Sequence, residues 1–426
     1  MATLKAVRGT RDLLPSETAL WNRIEATARR VFERYNFGEI RTPVFEDTAL
    51  FARGVGEETD IVSKEMYTWE DRARAASEKT QSLTLRPENT AGVVRAYIEH
   101  KLGETGQLQK LYYIGPQFRR ERPQKGRYRQ FSQIGAEVIG PPSAGSESPL
   151  RDAEVLEMLA TLLDELGITG WTLHLNSVGS SADRARYNEV LRAALEPIAP
   201  KMCGDCQRRA VTNPLRVLDC KVPEDQPIIE GLPKIDSVLG EDAKQHFAAV
   251  LAALDAAGVS YERNLRLVRG LDYYTRTTFE FTHGGLGAQN ALLGGGRYDG
   301  LSEAIGGPKA PGIGFAMGED RLVLTLQSME SAPTQLADAY IAPLGESMNP
   351  EALKLARELR RGGLKVELGD GSFRLKKSFE TADKVARRIV ILGEDELASG
   401  ILTVKDFTSG TQSKVPLAEL ASVLSK

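Results

Sequence analysis

Across residues 16–35 the apolar positions Leu20, Ile24, Val31 and Tyr35 recur at helical spacing, which predicts an amphipathic helix with one stripe toward a core. Ser16, just after Pro15, is placed to cap it, and Phe37-Gly38 ends it. Residues 39–46 (EIRTPVFE) are extended in character but contain Pro43. Proline brings no N–H to a ladder, so an edge or interface strand is predicted. A β-rich run from Thr80 stops at Pro87, and Glu88, Asn89 and Thr90 stand at the turn into a helix over residues 91–100. The plain reading of that turn is that Thr90 or Asn89 caps the helix. Two extended arms follow, residues 112–118 and 131–139. In the second arm Gln133, Gly135 and Glu137 alternate with Ser132, Ile134 and Ala136, so Gln133 and Glu137 share a face. A carboxylate on a buried sheet face is costly unless paired, which points to a ligand partner.

From 176 to 263 the texture turns helix-forming and Ala-rich, with Phe247, Val250, Leu251 and Leu254 at i, i+3, i+4, i+7. Residues 311–322 read as a strand followed by a helix starting near Gly318, with Arg321 in its first turn, where the helix dipole favours an anionic partner. Residues 327–337 are polar and read as a linker. Beyond them apolar strands at 339–342, 365–368, 388–392 and 401–404 alternate with helical patterns such as 350–361, the sign of a small α/β domain with a parallel or mixed sheet.

A chain of 426 residues exceeds one ordinary core, so two or three domains are expected. With a net charge of −3, any nucleic acid would be held by local basic patches. One such patch is 370–388, with Arg374, Lys376, Lys377, Lys384, Arg387 and Arg388; a solvated face is its plain reading. The N-terminus has no apolar signal region, and no apolar run reaches the ~18 residues a membrane helix requires. Three cysteines argue against a disulfide framework and for a reducing cytoplasm. Cys203 and Cys206 have zinc-like spacing, but a structural site takes four ligands. Cys220 supplies only a third, and the four histidines lie far off in sequence, so free thiols and no structural metal are expected.

The candidate chemistry centres on residues 118–131, FRRERPQKGRYRQF. Arg119, Arg120, Arg122, Lys125, Arg127 and Arg129 stand against a single acid, Glu121, and Gly126 after Pro123 marks a turn. This predicts a cationic hairpin whose guanidinium forks suit phosphate oxygens, with Phe131 placed to lie on a flat base. A solvated basic hairpin, or one gripping RNA backbone, fits the charge equally well. Residues 267–280 (LVRGLDYYTRTTFE) carry Arg269 in an apolar strand-like segment, where an unpaired Arg is unusual, and Tyr273 and Tyr274 offer two ring-bearing hydroxyls. Residues 294–301 (GGGRYDGL) allow a backbone wall against a ligand.

Segment 118–131 resembles motif 2 of the class II aminoacyl-tRNA synthetases, 311–322 resembles motif 3, and the opening helix and Pro-bearing strand resemble motif 1. Residues 267–280 and 294–301 resemble the two signatures of the histidyl-tRNA synthetase family. The resemblance spans essentially the whole chain. It implies an α+β catalytic core over 1–325, an antiparallel sheet flanked by helices, with a helical insertion at 176–263 over the tRNA acceptor stem. It also implies a C-terminal α/β anticodon-binding domain at 333–426. The implied enzyme is a homodimer that joins histidine to tRNA(His) through a histidyl-adenylate, using ATP with Mg2+. By correspondence Arg119 and Arg269 are catalytic at the α-phosphate. Glu88, Thr90, Gln133, Glu137, Arg269, Tyr273 and Tyr274 hold histidine; Arg119, Glu121, Arg127, Phe131 and Arg321 hold ATP. Ser132 stands where the family pattern has His, and Asn89 where it has Gly. Two rivals share parts of this pattern. A synthetase-like regulatory subunit lacks the C-terminal domain and loses ATP-site residues, whereas Arg119, Arg269 and Arg321 are all kept here. A proline, threonine or glycine enzyme lacks LVRGLDYYTRTTFE.

Overall fold

The computed structural model describes residues 3–57, 59–71, 80–124, 126–286, 290–329 and 336–425. Helix α1 (Pro15–Arg34) buries Trp21, Ile24, Ala28, Val31 and Phe32 along one stripe. Its cap differs from expectation: Leu14 is the N-cap and Pro15 opens the helix, because proline's fixed φ suits that slot and its missing N–H costs nothing there. Ser16 therefore lies inside the first turn. The single strand expected at 39–46 is broken into β1 (Gly38–Glu39) and β2 (Phe45–Asp47). The carbonyls between them go to the Arg86 guanidinium, which donates to Thr42 at 3.0 Å and Pro43 at 3.4 Å.

Helix α2 (Thr48–Val55), strands β3 (Tyr67–Asp71) and β4 (Gln81–Leu85), and helix α3 (Thr90–Glu99) follow. β2, β4 and β3 form a small antiparallel sheet. The main sheet begins with the arms β5 (Gln109–Phe118) and β6 (Gln130–Ile139) and is backed by α4 (Pro149–Glu165). After β7 (Trp171–Ser177) come α5 (Ser181–Leu195), α6 (Gly204–Thr212), α7 (Gln226–Glu230) and α8 (Glu241–Ala257). The chain then runs through β8 (Glu262–Arg263), β9 (Thr275–His283), β10 (Ala291–Arg297), α9 (Leu301–Ala304), β11 (Gly312–Gly318) and α10 (Glu319–Met329). The eight strands order as β1-β5-β6-β11-β10-β9-β7-β8. Only the short strands β1 and β8 pair in parallel; the rest are antiparallel.

One face of this sheet is dry. Ile134, Ala136 and Val138 of β6, Ile313, Phe315 and Met317 of β11, and Phe279 and Phe281 of β9 pack in one core with α1, α4, α8 and α10. The opposite face is left to polar and glycine positions. A second core, containing Val178, Tyr187, Leu191, Cys206, Val217, Cys220, Ile229 and Ile235, closes among the helices that follow β7. The helical region of 176–263 is thus narrower than its sequence texture. Asn176 and Ser177 belong to β7, and Phe247, Val250 and Leu254 of α8 are in the main core.

By internal contacts the chain divides into Met1–Ala332 and Pro333–Lys426. The second unit has five strands, β12 (Ala339–Pro343), β13 (Val366–Leu368), β14 (Arg388–Leu392), β15 (Ile401–Asp406) and β16 (Gln412–Pro416), ordered β13-β12-β14-β15-β16. Helices α11 (Asn349–Arg361), α12 (Leu375–Val385), α13 (Glu394–Ser399) and α14 (Leu420–Leu424) accompany them. The sheet is mixed, since β12 runs parallel to β13 and β14 while β15 and β16 are antiparallel additions. The basic patch at 370–388 loses one member to structure: Arg388 pairs with Asp406 at 2.8 Å. No described helix is long and apolar enough to cross a membrane.

Candidate active site

The polar face of the main sheet is built by register. Glu137 of β6 lies opposite Gly314 of β11, Gly314 opposite Gly296 of β10, and Gly296 opposite Thr278 of β9. The next row runs Gly135, Ala316, Gly294 and Glu280. Opposed residues share a face, so this face is a floor of glycines with functional side chains at its margins. A side chain at each of these glycines would press on a neighbour. A Cβ on Gly294 would lie 2.6 Å from the Arg269 guanidinium, and one on Gly296 would lie 2.8 Å from the Tyr274 ring. On Gly314 it would overlap the Glu137 carboxyl, and on Gly135 the Tyr113 hydroxyl. The glycines hold protein side chains as well as offering a wall.

Glu88, Thr90 and Glu137 form one buried chain. Glu88 accepts from the backbone N–H of Thr90 at 2.7 Å and of Ala91 at 3.0 Å. Glu88 is therefore the group that caps α3, and neither Thr90 nor Asn89 does so. The Thr90 hydroxyl instead donates to Glu137 at 2.7 Å, and the Tyr298 hydroxyl donates to the other Glu137 oxygen at 2.7 Å. Asn89 accepts from Thr42 at 2.6 Å, outside this chain. Burial pushes Glu137 up to about 8, against the pull of Thr90 and Tyr298. Near neutral pH its carboxyl therefore carries a proton and can donate as well as accept. Burial also raises Glu88, although two backbone N–H groups and Arg119 oppose it. Tyr273 and Tyr274 stand with ring centroids 4.8 Å apart, and Tyr273 lies edge-on to Tyr298 at 5.9 Å. Gln133 shares the face, and its buried Oε1 has no partner among the described residues.

Arg269 departs from expectation. It sits in the loop before β9, not in the strand, and it is paired: its guanidinium donates to Glu280 at 2.5 Å. Burial lowers its pKa, but Glu280 and Tyr274 outweigh that and leave it raised. The loop is clamped from α5, where Arg184 donates to the carbonyls of Asp272 at 2.7 Å and Tyr274 at 2.6 Å. Asn213 adds a bond to the Asp272 side chain at 3.1 Å.

The cationic hairpin is present, but its charges divide. Arg119 donates to the Pro87 carbonyl at 2.9 Å and its guanidinium lies 5.3 Å from the Phe131 ring centroid. Arg127 pairs with Glu121 at 3.2 Å, and Arg119 reaches the same carboxylate at 4.0 Å. Glu121 and Phe131 are thus both engaged by arginines. Arg120 turns to the Tyr67 ring, Arg129 donates to the Arg8 carbonyl, and Lys125 lies outside the described residues. Arg321, in the first turn of α10, donates to the Ala291 carbonyl at 2.6 Å. Burial lowers its pKa first, and the positive charges of Arg127 and Arg269 lower it further. Three arginines from three separate elements therefore converge beside the glycine floor, an arrangement that favours an incoming polyanion.

Two features are not evident from sequence reading. Gln117 of β5 lies on the same face as Phe131, fully buried, with neither amide atom partnered among the described residues; the period-two alternation of the incoming arm carries that signal. Arg297, from the GGGRYDGL stretch, is wholly buried and binds Asp152 at 2.7 Å. Asp152 also takes His246 at 2.8 Å and the Thr277 hydroxyl at 2.6 Å. That knot ties β10, α4, α8 and β9 together beneath the site.

Comparison with known proteins agrees with this architecture. The family profile described as histidyl-tRNA synthetase matches residues 9–322, and one described as anticodon binding domain matches 338–426. The histidine--tRNA ligase of Koribacter versatilis is 73% identical over 419 residues, covering 98% of this chain and 95% of that protein. The histidine--tRNA ligase of Solibacter usitatus is 56% identical, covering 99% of each. The crystal structure of apo S. aureus histidyl-tRNA synthetase superposes with a TM-score of 0.79 at 38% identity, covering 100% of both chains. With its antiparallel sheet, its glycine-floored site and a family match across most of its length, the chain belongs to the histidyl-tRNA synthetase family of class II aminoacyl-tRNA ligases.

Proposed function

We propose that this ligase charges tRNA(His) with L-histidine in two steps, through a histidyl-adenylate. The observation that supports the reading most is the junction of two unlike half-sites on one face: the Glu88–Thr90–Glu137 chain with its tyrosines, and the converging arginines 127, 269 and 321. An amino acid with a cationic amino group and a polar ring fits the first, and a triphosphate fits the second. In the first step a histidine carboxylate oxygen bonds to the α-phosphorus of ATP. The bond to the bridging oxygen breaks, and pyrophosphate leaves. In the second, a 3'-terminal adenosine hydroxyl of the tRNA attacks the histidyl carbonyl, gives up its proton, and AMP departs.

The protein's part is positioning and charge stabilisation. Arg119 and Arg269 bracket the α-phosphate, which requires Arg269 to share its charge between Glu280 and the phosphate. Arg127 reaches the distal phosphates. Glu121 accepts from the adenine amino group and Phe131 carries one ring face, after Arg119 moves from that ring toward phosphate; Arg321 takes the other face. Mg2+ enters with ATP, held largely by phosphate oxygens. Glu88, Thr90 and Gln133 hold the amino group, while Glu137, Tyr273 and Tyr274 meet the imidazole.

A homodimer is part of the same proposal. Phe45 and Trp69, exposed and in edge contact at 6.0 Å, are apolar surface next to the broken Pro43 segment and suit a self-association face. The unit Pro333–Lys426 would read the anticodon, the helices after β7 would cover the acceptor stem, and the setting would be the cytoplasm. ATP–pyrophosphate exchange with each amino acid tests the core reading. Exchange with histidine alone is expected; exchange with proline, threonine or glycine, or with none, would overturn it.

A further inference from the structure

The three cysteines of residues 203–220 meet in the helical core. Cys203 is the N-cap residue of α6, Cys206 lies in that helix's first turn, and Cys220 ends the following short helical turn. Asp225 joins them, and the four ligand atoms all lie within 4.8 Å of one another. This is the fourth donor that sequence spacing did not reveal. Cys206, Cys220 and Asp225 are buried and Cys203 is half-buried.

We propose that Cys203, Cys206, Cys220 and Asp225 bind one structural Zn2+. Four donors, three of them soft sulfurs, match the ligand count and type of closed zinc sites. One pair already has the spacing such a site needs: Zn–S bonds of about 2.3 Å place two sulfurs about 3.8 Å apart, and Cys203 and Cys220 are 3.9 Å apart. The Cys206 N–H donates to the Cys203 sulfur and the Val222 N–H to the Cys220 sulfur, each at 3.4 Å. Two of the sulfurs thus already carry the backbone N–H contacts that commonly surround a metal's ligands. Asp225 brings a buried carboxylate to the three sulfurs. A carboxylate buried in an apolar cluster costs heavily without strong partners. Its hydrogen bonds are to the Cys203 N–H at 3.1 and 3.3 Å and the Cys220 thiol at 3.3 Å, all within the cluster. On binding, the three thiol protons leave and the four donors share the ion's charge.

The site braces more than its own core. The segment between Cys206 and Cys220 carries Asn213, bonded to Asp272, and Arg216, whose guanidinium lies 2.8 Å from where a Cβ on Gly270 would be. Both touch the loop that bears Arg269. The metal therefore fixes one side of the Arg269 loop from a distance.

The test is metal analysis of the full-length protein purified without chelator from cells grown with added zinc. One zinc per chain is expected. C220S and D225N should each lower zinc content at least several-fold, and cobalt-loaded wild type should show thiolate-to-cobalt charge-transfer absorption that C220S loses. Zinc at trace level in folded wild type, zinc retained by both variants, or a Cys203–Cys220 disulfide in the wild type purified without reductant would overturn the site. Because the wild-type measurement stands alone, misfolding of a variant does not rescue the proposal.

Discussion

The pocket around Glu137 and the arginine patch beside it share one sheet face, yet they are held in opposite ways. Around Glu137 the contacts are short and buried: Thr90 and Tyr298 donate at 2.7 Å, Glu88 is pinned by two backbone N–H groups, and a Cβ on Gly314 would overlap the Glu137 carboxyl. In the patch, Arg127 is exposed, Arg119 spans a ring and a carboxylate, and Arg269 is tied to Glu280. The first half resembles a preformed lock; the second is a set of ion pairs waiting to be exchanged. That is physically sensible. Selecting one small amino acid needs partners that are left unpaired by the wrong ligand, whereas a triphosphate brings enough charge to replace carboxylates around arginines.

The largest expected effect comes from the group that stands where the halves meet. Arg269→Ala should fold normally and lower histidine-dependent pyrophosphate exchange by ~100- to 1000-fold, the usual cost of one preorganised electrostatic group. Exchange within about tenfold of wild type would remove Arg269 from the chemistry. Deleting residues 333–426 lies outside both halves. It should leave exchange nearly intact while lowering tRNA charging by ~100-fold or more through lost second-site binding; equal loss of both in a soluble truncation contradicts that division.

A smaller effect concerns buried acids. Burial pushes both Glu137 and Glu319 up to about 8 from 4.5. In that window the folded chain holds protons the unfolded chain has released, so stability falls as pH rises toward 8. Glu319→Gln should flatten the fall of Tm between pH 6 and 8 by a few degrees, leaving the share due to Glu137. Parallel Tm–pH curves for variant and wild type would show that Glu319 does not titrate this way.

The sequence made the preformed half readable, because its rules are local. Period-two alternation paired Gln133 with Glu137, and the Pro87 turn placed Glu88 and Thr90 at the start of a helix. The exchangeable half was legible as charge but not as pairing. Glu280, which holds Arg269, sits beyond a register shift in β9 and β10, so no spacing rule joins the two. Asp225 joined the cysteines only through the fold of a small helical core. Strand β16, QSKVP, is mostly exposed and polar, so no hydrophobic pattern announced it. Even Pro43 signalled only an edge; that Arg86 breaks the strand there depends on a side chain more than forty positions away.

The contrast between the halves is tested most directly by splitting KM values in the exchange assay. Tyr274→Phe removes a hydroxyl from the preformed half and should raise the histidine KM by about tenfold, the worth of one ligand hydrogen bond, with the ATP KM unchanged. Arg127→Ala removes one exposed charge from the patch and should raise the ATP KM several-fold, with the histidine KM unchanged. Two variants that each move only their own substrate's KM are the predicted result. If Tyr274→Phe binds histidine as wild type does, or if either variant shifts the other substrate's KM as strongly as its own, the division of the site into two independently built halves is wrong.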